Sequence, residues 1–322
     1  MKMLLTDQLQ LGADCAEQLS VSQAHTWHQS RLERFTEMLT FAKQHHAGYL
    51  AITGRLLGHS HIPETLIDTL LQLIREHSEI CFLVFLPDTE LRRLSYRKEI
   101  PDHLILLHMD SEDTYLDDNI ALRIVQSGVE FQLADHPSVW LHYRQSGGSD
   151  VVIEGDSLLL PCFEPTGFED ASRESYGVLC IEWNEQMLPS ARQIHSQRYS
   201  YHEARLELSP AETQREILQK LRQSAAKLDR NTFLRLTVCG RTAFGITLDA
   251  AAMKQELEKR VFYAQIFDTT EMDIDTQAFE TDISLSSEFV RLALADDSLS
   301  DTERSRLISR GWNALGGKAV SE

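Results

Sequence analysis

Tyr49-Leu50-Ala51-Ile52-Thr53-Gly54 is a short apolar run stopped by glycine, and Ile80-Cys81-Phe82-Leu83-Val84-Phe85-Leu86-Pro87-Asp88 is a longer one stopped by proline. Between them Pro63 stands near the first turn of a segment in which Leu66, Leu70, Leu73 and Ile74 recur at helical spacing. Outward from this stretch, residues 2–6 read as a strand, Leu32, Phe35, Leu39 and Ala42 mark a helix ending near His46, and residues 104–108 read as a further strand. The order strand, helix, strand, helix, strand implies an α/β sheet covered by helices on its faces.

After about residue 128 the pattern changes to short strands at 129–133, 139–143, 151–153, 158–160 and 176–183, with turns at Gly147-Gly148, Gly155-Asp156 and Gly167. A second, mostly antiparallel sheet layer is the economical interpretation. From about 196 a compact α+β module begins: a strand near 204–208, a helix over 209–228 burying Ile217, Leu218, Leu221, Ala225 and Leu228, a strand at 233–239, a helix near 248–260 and a strand at 261–267. Residues 268–282 form a polar, acidic connector, and two helices close the chain. The second opens on the capping-box pattern Ser300-Asp301-Thr302-Glu303 and ends at Gly316-Gly317.

The chain has 322 residues, 31 Lys and Arg against 49 Asp and Glu, a net charge of −18 and 42% apolar residues. This is a globular composition with room for about two domains. The acidity argues against a simple basic coat for nucleic acid, which needs clustered Lys and Arg. Between residues 268 and 303 there are eleven acidic residues and one basic one, Arg291, so the charge belongs mainly to the connector and the last helices. Such a tail repels DNA and suits a basic protein surface. The longest apolar run, 80–86, falls far short of the ~20 residues of a membrane span. Lys2 is followed by only Met3-Leu4-Leu5 before Thr6-Asp7, too short for an apolar signal region, so a cytoplasmic location is expected. Cysteines 15, 81, 162, 180 and 239 form no C-x-x-C pair and read as buried thiols. No G-x-x-x-x-G-K-S/T, G-x-G-x-x-G or G-x-S-x-G motif is present.

In an α/β sheet, chemistry gathers at the loops after the strands. Here these read Thr6-Asp7-Gln8-Leu9-Gln10-Leu11-Gly12, Thr53-Gly54-Arg55-Leu56-Leu57-Gly58 and Leu86-Pro87-Asp88-Thr89-Glu90. By position they resemble the metal-binding loops of the calcineurin-like metallophosphoesterases, and within them the nuclease subunit of the bacterial SbcCD DNA-end-processing complex. That family carries Asp-x-His-x-Gly, Gly-Asp-x-x-Asp and Gly-Asn-His-Asp at the same strand ends. The resemblance continues through Leu160-Pro161-Cys162-Phe163, Gly167-Phe168 and residues 176–183 into the small module, which looks like the family's capping domain. It implies a four-layer β-sandwich flanked by helices over residues 1–195, a capping domain over 196–267, an acidic linker over 268–282 and docking helices over 283–322.

The frame is kept and the ligands are not. Gln8 and Gln10 stand at the first Asp and His, Arg55 at the bridging Asp, Gly58 at the next Asp, and Asp88-Thr89-Glu90 within the third motif; His142 is the best remnant of the later His motifs. Two dications about 3.5–4 Å apart need several carboxylates and neutral imidazoles. Glutamine offers only a neutral carbonyl, and arginine at the bridge puts a permanent cation where the metals belong. A site with no metal, no cofactor and no catalytic residue is therefore expected, with Arg55 pairing to Asp7 or Asp88. The rival is a rebuilt Mn or Zn site drawing on His59, His61, Asp7, Asp88, Glu90, His136 and His142.

Arg92, Arg93, Arg97 and Lys98, with Tyr96 among them, form one basic cluster. It fits either a nucleic-acid backbone contact or a solvated helix face neutralised by Glu90 and Glu99. The second helix with cations, carrying Arg215, Lys220, Arg222 and Lys227, also carries Glu212 and Glu216 and reads as an ordinary exterior. In the SbcD-like family the C-terminal helices dock on the coiled coil of an SMC-type ATPase. Here Leu285, Phe289 and Leu292 fall on one stripe and Leu307, Ile308, Trp312 and Leu315 on another, which suits helix-in-groove recognition or folding back on the chain's own domain. The resemblance implies an inactive SbcD-like scaffold for an SMC/SbcC-like coiled-coil ATPase, reaching double-stranded DNA through that complex, in repair or anti-phage defence. It implies no membrane partner, and a homodimer within the complex. A divergent metal-dependent nuclease and a free-standing interaction module are the alternatives.

Overall fold

The computed structural model describes residues 1–315 other than 59–61, 98, 110–112, 117–120, 126–127, 133–137, 144–148, 154–155, 172–175, 185–187, 196, 244–245, 247, 274–278 and 280–282. The turns at Gly147-Gly148 and Gly316-Gly317 lie outside the described residues. The chain divides into two compact units, Met1–Arg198 and Tyr199–Glu322.

In the first unit β1 (Lys2–Asp7), β2 (Tyr49–Thr53), β3 (Cys81–Leu86) and β4 (Leu104–His108) pair in chain order, all parallel. They are joined by α1 (Val21–Gln44), α2 (Glu64–Arg75) and α3 (Asp88–Ser95). Strand order that follows chain order, with crossovers of one hand, puts all three helices on one face. There Phe35, Leu39, Ile67, Leu70 and Leu94 pack on Leu4, Leu50, Ile52, Phe82 and Val84. Ser20 starts α1 with a capping box to Gln23, and Pro63 stands just before α2.

The second sheet is an antiparallel meander of β5 (Asp113–Leu116), β6 (Ala121–Val125), β7 (Gly128–Gln132), β8 (Val139–Tyr143), β9 (Ser149–Ile153) and β10 (Asp156–Leu159). Alternate residues of its strands, among them Leu122, Val129, Phe131, Leu141 and Val151, pack on Met3, Leu5, Ala51, Leu83 and Phe85 of the first sheet. The chain then passes through α4 (Phe168–Ala171) to β11 (Gly177–Trp183) and β12 (Pro189–His195), which extend the first sheet antiparallel beside β1. The short-strand region begins at Asp113 rather than near 128, and β12 was not anticipated, because Pro189-Ser190-Ala191-Arg192-Gln193 has little apolar alternation.

The architecture is thus mixed α/β. Of the four layers expected, the described residues form three: helices, mixed sheet, antiparallel sheet. The outward face of the second sheet carries Arg123 and Gln132, exposed, and Glu130, Trp140 and His142, half-buried, with no described helix packed on it.

The second unit runs β13 (Ser200–Leu208), α5 (Gln214–Ser224), β14 (Thr232–Ala243), α6 (Ala250–Glu258) and β15 (Tyr263–Asp268). The three strands are parallel, so the module is a βαβαβ unit. Ile217, Leu221, Met253 and Leu257 of its helices cover Leu206, Leu234, Leu236 and Val238. The α5 helix is shorter than the 209–228 expected because Thr213 caps it, in a capping box with Glu216. Part of the acidic stretch is sheet: β16 (Glu271–Asp273) pairs with the end of β14, which turns at Gly240. Gly240 has φ +90°, and a Cβ there would lie 2.3 Å from the Leu208 carbonyl oxygen. Helices α7 (Leu285–Leu294) and α8 (Asp301–Leu315) follow, and the Ser300/Glu303 capping box forms. Among the described residues no helix is long and apolar enough to cross a membrane, and all five cysteines are free thiols.

Candidate functional site

The loops after β1, β2 and β3 meet above the helix-covered edge of the first sheet. Residues 8–12 run beside 53–57, with the amides of Gln8, Gln10, Leu11 and Gly12 donating to the carbonyls of Thr53, Arg55, Leu56 and Leu57 at 2.8–3.0 Å. Gln8 and Gln10 adopt left-handed φ values of 54° and 46°. The kinks aim Leu9 and Leu11 into the core, while the Gln10 amide donates to the Gln8 side-chain oxygen at 2.9 Å. Both glutamines are therefore bonded to each other where the resembling family has a metal-binding Asp and His.

Glu90 decides the character of this crown. Its side chain is buried, and its carboxylate accepts three backbone N–H groups: Leu56 at 2.9 Å and Leu57 at 3.0 Å on Oε2, and Gly58 at 3.1 Å on Oε1. Gly58 allows this nest at φ +103°, with the Ala13 backbone only 3.1 Å from where a Cβ would stand. A carboxylate so occupied is an internal anion-in-nest clasp rather than a ligand facing outward.

Asp7 is buried and accepts the Thr53 hydroxyl at 2.8 Å. Arg55 is exposed and forms no ion pair among the described residues, which corrects the expectation that it seals to Asp7 or Asp88. Asp88 instead pairs with Arg92 at 2.6 Å, one helical turn on, and with His108 at 3.7 Å. Thr89 is exposed. His142 lies on the outward face of the second sheet, its ring 5.7 Å from Trp140 and nearly parallel to it, away from the three loops. His59, His61 and His136 lie outside the described residues. Among the described residues no group of three or more His, Cys, Asp or Glu is placed to hold a metal ion. A glutamine pair, an exposed arginine and a carboxylate bonded to three amides do not fit a pair of dications.

Two buried charges in this unit were not anticipated. Arg31 is completely buried and donates to the carbonyls of Leu9 at 2.9 Å, Gln10 at 3.1 Å and Pro165 at 3.4 Å, with its guanidinium 5.4 Å from the Trp27 ring centre. It holds the first loop from beneath. The signal was present: Trp27, Arg31, Phe35 and Leu39 follow one another at intervals of four, so the arginine sits on the buried stripe of α1. Glu164 is buried beside Arg34, 3.5 Å away, and accepts the Arg198 amide at 2.8 Å. Burial pushes its carboxyl above the usual range against the pull of Arg31, the Arg198 amide, Arg34 and the Arg198 side chain. A raised carboxyl contributes stability that is present below the unfolded value near 4.5 and is lost as pH rises through the folded one. Glu164→Gln should therefore gain stability relative to the parent as pH is raised from 4 to 8, a trend readable from paired unfolding curves; a constant difference would contradict it.

The basic cluster is largely neutralised. Arg93 donates to the Ile62 carbonyl at 2.6 Å and pairs with Glu64 at 3.2 Å, Arg97 pairs with Glu64 and with Asp68 at 3.2 Å, and Arg92 is taken by Asp88. Lys98 lies outside the described residues. Burial also pushes the Cys15 thiol up to about 11, far from a nucleophile's range.

In the second unit the two C-terminal helices share a small core of Val290, Ala293 and Ile308, with Phe279, Phe289 and Trp312 packed on it. Phe279 and Trp312 meet edge to face at 6.0 Å. Leu285, Leu292, Leu307 and Leu315 remain exposed, as does Ile283. The two stripes drawn from the sequence are thus each divided between the helix–helix contact and solvent.

No protein-family model matches this chain, and no curated protein matches it.

Proposed function

We propose that this chain is a catalytically inactive, SbcD-like subunit that scaffolds a coiled-coil SMC-type ATPase complex acting on double-stranded DNA, in end recognition for repair or defence. The observation that carries the first half is the Glu90 clasp: the residue best placed to replace a lost ligand is bonded to three amides of the neighbouring loop. Support for the frame comes from four parallel strands with their loops at one edge, backed by an antiparallel sheet. In this proposal residues 1–195 are the degenerate phosphoesterase-like domain, 196–267 the cap, 268–282 the linker and 283–322 the docking helices. Any cleavage would come from another component of the complex.

The docking half rests on the exposed leucines of α7 and α8, which are 42–74% accessible while their neighbours hold the helices together. Helices of a coiled coil offer the complementary apolar groove. Co-expression of the tagged full chain with a coiled-coil SMC-type ATPase from the same genome tests this. Leu285→Asp/Leu292→Asp should lower recovery of the ATPase at least tenfold, while changing stability by no more than ~0.5 kcal/mol, because both side chains are already in water. Ile308→Asp should instead disrupt the helix pair itself. Unaltered recovery after the leucine changes and after removal of residues 283–317 would end the docking proposal. About two equivalents of bound Mn or Zn with Mn-dependent DNA cleavage would end the proposal of inactivity.

A further inference from the structure

Against a chain charge of −18, residues 222–260 carry eight basic and four acidic residues. Four of the eight basic residues and two of the four acidic ones lie at one edge of the βαβαβ unit. In such a unit the C-terminal ends of both helices and the starts of the next strands lie together, and here they frame a groove of about 830 Å³ lined by Arg222, Asp229, Arg230, Glu256, Lys259 and Arg260. Part of this charge has a structural explanation, since cations are favoured at helix C-termini. Glu256 accepts Arg222 at 2.7 Å and Lys259 at 2.5 Å, and Asp229 is engaged by the Asn231 amide at 2.8 Å and the Thr232 hydroxyl at 3.1 Å, closing the turn into β14.

Arg230 and Arg260 are left over. Both are exposed and neither has an ion-pair partner among the described residues. They precede β14 and β15, adjacent parallel strands, so both guanidinium groups project from the same edge. The contrast with Arg92, Arg93 and Arg97, each held by a carboxylate, is direct. A guanidinium without a carboxylate partner is a bidentate donor for a phosphate. The groove lining contains no aromatic ring, so it offers no platform for unstacked bases and suits a sequence-independent backbone contact.

We infer that this groove binds the phosphate backbone of duplex DNA, with Arg230 and Arg260 as its two phosphate-binding residues. The choice of DNA among polyanions rests on the function proposed above; the groove and its charge do not.

The test is fluorescence anisotropy of the full chain with a labelled 20-bp duplex between 50 and 200 mM salt. Arg230→Glu/Arg260→Glu should weaken binding at least tenfold at 50 mM salt. Arg230→Gln/Arg260→Gln should weaken it less and flatten the log–log salt slope by about 2, at ~0.9 for each phosphate no longer neutralised. Arg192→Glu/Arg215→Glu makes the same change in total charge at exposed sites elsewhere and should alter affinity less than twofold. Thermal unfolding of each variant checks that the fold is retained. Wild-type failure to bind the duplex, unchanged binding by both Arg230/Arg260 variants, an equal loss in the control, or displacement of the duplex by poly-glutamate at matched charge would each overturn the inference. If binding ignores these arginines while the coiled-coil ATPase still co-purifies, the groove assignment fails and the scaffold proposal stands; the converse pattern fails the scaffold alone.

Discussion

Glu90→Ala is expected to destabilise the first unit by ~3–5 kcal/mol, because three buried backbone N–H groups lose a charged acceptor at once and each such bond contributes about 1.5–3 kcal/mol before water re-enters. For a unit of this size, that corresponds to a fall of about 10 °C in unfolding temperature. Glu90→Gln keeps the shape and one acceptor oxygen, and should lose about half as much. The competing role makes the opposite prediction. Were Glu90 a relocated metal ligand, Glu90→Gln would leave the unfolding temperature nearly unchanged and remove metal affinity. An unfolding temperature for Glu90→Ala within about 2 °C of the parent, by calorimetry, would sink the clasp interpretation. Hydrogen exchange adds a local readout: the amides of Leu56, Leu57 and Gly58 should become the fastest in the crown, since these are the donors Glu90 holds.

Arg31→Met should have an effect of similar size, ~3–5 kcal/mol, for a related reason. The methionine fills much of the volume but takes the Arg31 donors away from the Leu9 and Pro165 carbonyls, leaves the Gln10 carbonyl with the Ala13 amide, and removes the cation over Trp27. Arg31→Lys keeps the charge and cannot span three acceptors with one ammonium group, so it should recover less than half of the loss. Arg31 also pulls down the Glu164 carboxyl. Combining Arg31→Met with Glu164→Gln should therefore destabilise by less than the two separate effects added together, because the buried carboxylate no longer lacks a counter-charge. Additivity of the two in denaturant unfolding would show that the charges do not interact.

How much of this was legible beforehand differs from element to element. The cores of β2 and β3 are continuous apolar runs buried on both faces, and their ends are marked by Gly54 and Pro87. Such runs have few alternative states, so their assignment needed no tertiary information. The edge strands β12 and β5 were not visible, because an edge strand is stabilised by its neighbour's backbone rather than by its own side-chain pattern. The same limit applied to the C-terminal helices. Spacing identified which residues are apolar, but a stripe in the sequence does not say which half of it the partner helix takes. Here Phe289, Ile308 and Trp312 turn inward and Leu285 and Leu292 outward.

At the loops the division is sharper. That the three strand-end segments carry Gln8, Gln10, Arg55 and Glu90 rather than a set of metal-binding Asp and His follows from the residues alone, since the charge a dication requires is a property of side-chain chemistry. That Glu90 is spent on Leu56, Leu57 and Gly58, that Arg55 points to solvent, and that Arg93 and Arg97 are neutralised by Glu64 and Asp68 required the fold. So did the leftover charge of Arg230 and Arg260, two residues thirty positions apart that parallel strands bring to one edge. Residue type and local period determine which elements form and what chemistry each side chain is capable of, because both act over a few neighbouring residues. Which charges remain free is decided by contacts between residues distant in sequence, and only tertiary structure sets those distances.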